Sequence, residues 1–345
     1  MKAQLNLSVL APETLNLILA PLGPDLEKVE KRLRSVGEEC EGVLKDSANY
    51  VLCGGGKRLR ASLVLFCFSI PKSKKKIEKN KWSKDNSVVR ARELATAVEL
   101  LHSATLVHDD IVDRAVMRRL KPSVNVQFGD DLSVLLGDFL YARAFSMIAN
   151  LNDRDIVSWM TGMTEDMCAG EIDQLKNRYT VDLGLNDYIS FIKRKTAALI
   201  SSCARCGAKL SGLPAAQISA LASFGMNIGI AFQIVDDLLD LVGTETLVGK
   251  TLRTDAGNGK MTLPMILLLG QLNAKERGPV IKSLNSLHPD WSYIEGLLKK
   301  YQIAQETNRY ANDYLNRALE AIREIDSGSR QSLESFSRFV LKRDF

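Results

Sequence analysis

Residues 100–113 read LLHSATLVHDDIVD, and the fold follows from asking which conformation can use the acids at its end. On an α-helix Asp109 and Asp113 stand one turn apart on the same face, near enough for two carboxylates to hold hard cations. Mg²⁺ keeps several waters and favours a few carboxylates plus a substrate's phosphate oxygens over a full protein cage. With Asp110 beside them, the acids form a DDxxD on a helix whose flanking residues Leu100, Leu101, Leu106 and Val107 are apolar. A solvated acidic face is the ordinary alternative. Burying this much negative charge without a cation, however, would cost several kcal/mol.

Residues 232–240, FQIVDDLLD, repeat the device: Asp236 and Asp240 are one turn apart, Asp237 lies between them, and the surround is again apolar. Two such helices facing each other could hold a cluster of Mg²⁺ around one diphosphate. Asp130 and Asp131 serve as a control, because Val134 and Leu135 follow where a third acid would be needed. That pair is assigned no metal.

Beyond these motifs the pattern is helical nearly throughout. No proline occurs between Pro122 and Pro214, apolar residues recur at three and four, and alternating strand-like runs are hard to find. The expected fold is all-α. With 345 residues, 46% of them hydrophobic, the chain can bury a large core, and residues 1–345 are read as a single domain.

A lysine-rich loop is expected at 71–87; its first part, PKSKKKIEKNKWSK, holds seven lysines in a stretch too polar to bury. It is either a solvated connection or a contact for anionic lipid. The net charge of +5 is too small for this length to argue for a nucleic-acid partner, though it suits a protein that handles anions.

The N-terminal stretch is interrupted by Pro12 and Glu13 and reads as a leader into a helix rather than a signal peptide. No uninterrupted apolar run of about twenty residues occurs, so membrane contact is expected to be peripheral at most. The six cysteines are scattered through helical sequence, which fits reduced thiols and a cytoplasmic location. Cys203 and Cys206 form a lone C-x-x-C without a second pair, read as small apolar filling of a helix.

Basic residues punctuate the acidic motifs. Residues 54–60, GGGKRLR, set flexible backbone beside Lys57 and Arg60, which can converge on a second diphosphate. A helix-capping loop is the ordinary reading of such glycines. Arg118 and Arg119 follow Asp113 closely and can grip phosphate oxygens bidentately. Lys195, Thr196 and Lys250 add cations and a hydroxyl, any one of which alone would be a surface residue.

Taken in order, GGGKRLR, the segment from His102 through HDDIVD, the arginine pair, GEIDQ at 170–174, Lys195-Thr196, FQIVDDLLD and the stretch from Gly249 to Pro264 resemble the trans-isoprenyl diphosphate synthase family. The match runs from about residue 20 to the C-terminus. The resemblance implies an all-α bundle around a deep central cavity, paired as a homodimer, that joins isopentenyl diphosphate to an allylic diphosphate with about three Mg²⁺ per site.

It also implies roles. Asp109, Asp113 and Asp236 would ligate Mg²⁺, while Asp110, Asp237 and Asp240 would shape the clusters or bind through water. Arg118, Lys195 and Lys250 would hold the allylic diphosphate, and Gly56, Lys57, Arg60, His102 and Arg119 would hold isopentenyl diphosphate. Gln174, Thr196 and Gln233 would line the reacting centre, with Lys260 and Phe232 close by. His108 is read as structural, and no side chain presents itself as a general base, so the released pyrophosphate is the natural proton acceptor.

Product length is read from the helix upstream of Asp109, where the growing hydrocarbon should run. Ala104 and Thr105 stand in its path; short-chain members tend to carry an aromatic there, so small residues point to a long product, suited to quinone side chains. Met160, Met163 and Met167 share a face with Gln174 to within about 40° at 3.6 residues per turn. They either line the tunnel, where flexible thioethers suit a growing chain, or pack as ordinary core.

Two positions depart from the family pattern: Arg114 replaces an acidic or small polar residue, and Leu120 replaces the glycine after the arginine pair. The rival readings are a geranylgeranyl or farnesyl synthase, a non-catalytic subunit of a heteromeric synthase, a terpene cyclase and a helical scaffold. A cyclase would not need GGGKR, and a non-catalytic subunit would be expected to have lost acids from one motif.

Overall fold

The computed structural model describes residues 12–71, 84–243, 253–284, 286 and 289–341. Long helices account for most of them. The labelled helices are α1 (Gly23–Glu38), α2 (Gly42–Leu52), α3 (Leu59–Ser69), α4 (Lys84–Val112), α5 (Asp130–Ala149), α6 (Arg154–Lys176), α7 (Leu185–Ile192), α8 (Ala198–Ser211), α9 (Ala215–Val242), α10 (Leu263–Gln271), α11 (Ile303–Ala321) and α12 (Ser327–Leu341). The regular β-structure among the described residues is a two-residue antiparallel ladder pairing Met117 with Pro122 and Arg118 with Lys121. The all-α expectation holds.

α4 begins at Lys84, so residues 84–87, expected in the lysine-rich loop, are helical. From Val88 onward the apolar residues fall at helical spacing toward Ala91, Leu94 and Ala95, all buried, and this face extends the helix beyond the charged stretch. Residues 72–83 lie outside the described residues, as does Lys250.

α9 is the axis of the bundle, packed between α8 and α11, while α4 pairs with α5 and α3 packs on α8. The largest core cluster runs from Leu22 to Val340 and includes the fully buried Leu33, Leu63, Leu94, Leu100, Leu136, Leu140 and Phe224. Each such side chain contributes about 1.5–3 kcal/mol of transfer free energy. By length and apolarity alone α5 and α9 could cross a membrane. α9, however, carries the second acidic motif and is packed against neighbours on two sides.

One local irregularity matters for function. Between α7 and α8 the chain makes a π-helical turn over Lys193–Ala197, closed by the Ala198 N–H donating to the Lys193 carbonyl. Such wide turns recur at functional sites because they re-aim side chains. This one is pinned by two glycines. A Cβ on Gly170 of α6 would lie 3.0 Å from the Lys195 nitrogen, and one on Gly229 of α9 would lie 2.6 Å from the Ala197 Cα. Only residues without side chains let α6 and α9 close on the turn that carries Lys195 and Thr196.

Candidate active site

The first acidic motif lies at the C-terminal end of α4, where the helix is stopped abruptly. Ala115 N–H donates to the Asp110 carbonyl and Arg114 N–H to that of Ile111, with Arg114 left-handed at φ 51°. This is a Schellman cap with arginine in the position that usually takes glycine. Asp113 therefore sits at the lip of the helix, half-buried. Asp109, one turn earlier, is also half-buried; burial raises its carboxyl above the usual range, with Lys195 opposing and Glu171 and Asp113 adding to the rise.

Each acid of this motif meets cations. Arg118, returned by the short hairpin, donates from Nε to both Asp110 oxygens at 2.7 Å, and Asp110 is 1% exposed. Lys260 lies 2.6 Å from Asp113 Oδ2, and Arg178 donates to Asp113 Oδ1 at 2.7 Å. Lys195 stands 3.8 Å from Asp109, donates to Gln174 Oε1 at 3.3 Å and pairs with Glu171.

The second motif is met by neutral donors as well. Asp237 accepts from the Tyr188 hydroxyl at 2.7 Å and from Gln233 Nε2 at 2.7 Å. Burial, reinforced by Asp255 and Asp236, pushes its carboxyl up to about 8 against those two hydrogen bonds. Asp240, buried, accepts from the Asp255 N–H at 3.3 Å, and Asp236 is half-buried beside them. With both oxygens occupied at the back of the site, Asp237 shapes the motif, as Asp110 does in the first.

Three residues connect the surroundings of the two motifs. The π-helical turn sends Lys195 toward Asp109 and Thr196 toward Gln233, whose Oε1 accepts from the hydroxyl at 2.8 Å. Lys260, buried, lies near both Asp113 and Asp255 at 2.6 and 3.5 Å. The oxygens gathered here are hard carboxylate donors of the kind that suit Mg²⁺, and Glu171, paired with Lys195, adds two buried oxygens. Among the described residues no group of three or more His, Cys, Asp or Glu side chains is gathered as a ready-made metal cage.

The glycine-rich segment lies against the arginine pair. Arg119 donates to the Gly55 carbonyl, and a Cβ on Gly56 would lie 3.2 Å from its guanidinium. Gly56 also has φ 149°, so both space and backbone call for glycine there. Burial and the charges of Arg60, Arg119, Arg118 and Arg58 hold the His102 imidazole well below its ordinary range. A neutral histidine ringed by guanidiniums marks a place where an anion would be welcome. Lys57 is exposed, 5.4 Å from the Phe339 ring centroid on α12.

Several of these residues were not singled out from the sequence. Arg58, between the expected Lys57 and Arg60, is buried and pairs with Glu30 at 2.5 Å, while Glu99 caps α3 by accepting from the Ala61 N–H at 3.0 Å. Glu171 shares the helix face of Gln174, a spacing that could have flagged it. Tyr188, Arg178 and Asp255 carry no local signal. His108 packs against Gly137 and approaches the Val134 carbonyl at 3.2 Å, a structural setting.

For product length, Ala104 is fully buried and Thr105 is half-buried, its hydroxyl donating to the His102 carbonyl at 2.7 Å. Met160 and Met163 are buried in the main core cluster and Met167 packs partly buried against it.

Paired acids on apolar helices, the first pair met by lysines and flanked by a cluster of arginines, describe the isoprenoid-synthase class of all-helical enzymes. Comparison with known proteins agrees. The Polyprenyl synthetase family description matches residues 41–290. The chain is 29% identical to heptaprenyl diphosphate synthase component 2 of Geobacillus stearothermophilus over 94% of this chain and 97% of that one. It is 30% identical to a short chain isoprenyl diphosphate synthase of Methanothermobacter thermautotrophicus, over 92% and 96%. Among solved structures, a polyprenyl synthase from Caulobacter crescentus complexed with calcium and isoprenyl diphosphate superposes with a TM-score of 0.85 at 28% identity, covering 96% and 98%. The chain belongs to the polyprenyl synthetase family and is a prenyltransferase, a polyprenyl diphosphate synthase.

Proposed function

We propose that the chain, acting as a single domain, condenses isopentenyl diphosphate with an allylic diphosphate, 1′-4 and trans, and repeats the step to a long-chain all-trans polyprenyl diphosphate for quinone side chains. The observation that carries this reading is the link from Asp109 through Lys195-Thr196 to Gln233 and Asp237, with Lys260 joining Asp113 to Asp255, whose N–H meets Asp240. The small Ala104 and Thr105 support the long product.

Asp109, Asp113 and Asp236 would hold Mg²⁺, with Asp240 beside them, and Asp110 and Asp237 would fix their neighbours through Arg118, Tyr188 and Gln233. When bound, about three Mg²⁺ would supply charge that stabilises the departing pyrophosphate. Arg118, Lys195 and Lys250 orient the allylic diphosphate, while Gly56, Lys57, Arg60, His102 and Arg119 hold isopentenyl diphosphate. Because the imidazole is kept neutral, His102 can give one N–H to an anion without adding a charge that must be desolvated. Thr196 donates to Gln233, leaving oxygen dipoles aimed where positive charge develops on the allylic carbon. The isopentenyl double bond attacks that carbon, and the released pyrophosphate takes the proton.

Two copies would form a homodimer in the cytoplasm, with peripheral membrane contact where the product leaves. A second reading, a subunit of a two-component synthase, draws on the Geobacillus relative, which is named as a component. The intact acidic motifs make a catalytic rather than a silent subunit the form to test. The deciding experiment incubates the purified chain with Mg²⁺, labelled isopentenyl diphosphate and farnesyl diphosphate, sizes the dephosphorylated products and measures the native mass. A ladder of long products from a dimer supports the proposal. A geranylgeranyl endpoint keeps the chemistry and removes the long product, and no incorporation by the chain alone favours the two-component reading.

A further inference from the structure

Arg178 belongs to no motif, yet it reaches the centre of the first clamp. It lies just beyond α6, and its Nη2 donates to Asp113 Oδ1 at 2.7 Å across a separation of 65 residues. The other Asp113 oxygen is taken by Lys260. The two cations arrive together because their loops are joined. Tyr179 N–H donates to the Gly259 carbonyl at 2.7 Å, and a Cβ on Gly259 would lie 2.7 Å from the Tyr179 ring. Tyr179 pays for this join with a left-handed backbone at φ 63°. A bulky residue held there is a costly conformation of the sort that persists at functional sites.

The guanidinium is not satisfied by Asp113. It carries five N–H donors in a fixed fork. Its Nε is buried and has no acceptor among the described residues. A planar fork with Nη2 on the Asp113 carboxylate and a buried Nε unspent is well matched to phosphate oxygens held at the same clamp.

We propose that Arg178 is a further diphosphate-binding residue, contacting the allylic diphosphate and the pyrophosphate it releases while remaining anchored beside Asp113. The inference rests on the synthase reading above. It assigns to the connection between α6 and α7 a role in leaving-group recognition, with Tyr179 and Gly259 as the staple that delivers Arg178 and Lys260 to one place.

The test uses the full chain with Arg178→Gln and Arg178→Lys. Binding of inorganic pyrophosphate in the presence of Mg²⁺ is measured by titration calorimetry, and KM is measured separately for farnesyl diphosphate and isopentenyl diphosphate. Loss of a charge-assisted contact to an anion should weaken pyrophosphate binding about tenfold or more in Arg178→Gln. The farnesyl diphosphate KM should rise similarly, the isopentenyl diphosphate KM should stay unchanged, and Arg178→Lys should recover part of the loss.

A residue that merely neutralises Asp113 would leave pyrophosphate affinity unchanged when removed, and that result overturns the proposal. Equal rises in both KM values also overturn it, since they report a general collapse of the site. If Arg178→Gln does not fold, Arg178→Lys carries the same comparison with a smaller expected effect. A wild-type chain that neither binds pyrophosphate nor condenses the two substrates defeats the synthase reading itself, and this inference with it.

Discussion

The two acidic motifs look alike in sequence and are held in opposite ways. In the first, Asp110 and Asp113 face Arg118, Arg178 and Lys260, and Asp109 faces Lys195. In the second, Asp237 faces a phenol and an amide. Charged partners on long side chains can be exchanged at modest rearrangement. Neutral donors packed in the core cannot. Asp110 and Asp113 can thus change partners, whereas Asp237 is fixed in place by its packing.

The strongest way to break this contrast is to neutralise one acid on each side. Asp109→Asn removes a half-buried carboxylate that faces Lys195 and Glu171, and should lower kcat for isopentenyl diphosphate incorporation by on the order of 10³-fold. Asp237→Asn leaves an acceptor for Tyr188 and a side chain that Gln233 can still meet by reorienting its amide, so the expected loss is about tenfold. If both substitutions abolish activity equally, Asp237 is not a passive support. Steady-state incorporation of labelled substrate decides the matter.

A pH experiment sharpens the same contrast on stability. An unfolded aspartate ionises near the usual value of about 3.9, whereas Asp237 in the fold ionises near about 8, chiefly because it is buried. Between those values the folded chain holds one proton more than the unfolded chain. Stability in a chelating buffer should therefore fall as pH rises from about 4 to about 8, by at most about 1.4 kcal/mol per unit, and level off above. Urea unfolding across that range should show the slope in the wild type and lose it in Asp237→Asn. A slope that survives the substitution would place its origin in another group.

The contrast also explains what the sequence made legible. The acidic pairs, the cation series and the all-α fold follow from residue type and helical spacing, which are local. Arg58 hid inside GGGKRLR because pattern alone cannot tell an arginine turned inward to Glu30 from its outward neighbours. Tyr188 meets Asp237 over 49 residues, and Arg178 meets Asp113 over 65. Contacts of that range are set by how helices pack, so no spacing announces them. The π-helical turn was hidden for a similar reason: KRKTA reads as ordinary helix, and only the approach of Gly170 and Gly229 gives the wide turn a purpose.

The smallest expected effect concerns strain, which is also unevenly shared. Beside the first motif Arg114, Arg119 and Leu120 all have left-handed backbones, at φ 51°, 51° and 62°, whereas α9 runs through Asp240 as regular helix. The Arg119-Leu120 pair forms a two-residue hairpin turn in which both central residues need positive φ, a role for which Asn-Gly is preferred. Leu120 is 78% exposed, so replacing it removes little buried surface while relieving a left-handed penalty of about 1–2 kcal/mol. Part of that gain is offset by the greater freedom of glycine in the unfolded chain, about 0.5–1 kcal/mol. Leu120→Gly should therefore stabilise the protein by about 0.5–1 kcal/mol in denaturant unfolding. Because the hairpin register already returns Arg118 to Asp110 and Arg119 to Gly55, the KM for isopentenyl diphosphate should not change. A severalfold change in that KM would mean that the strain at Leu120 sets the aim of Arg119.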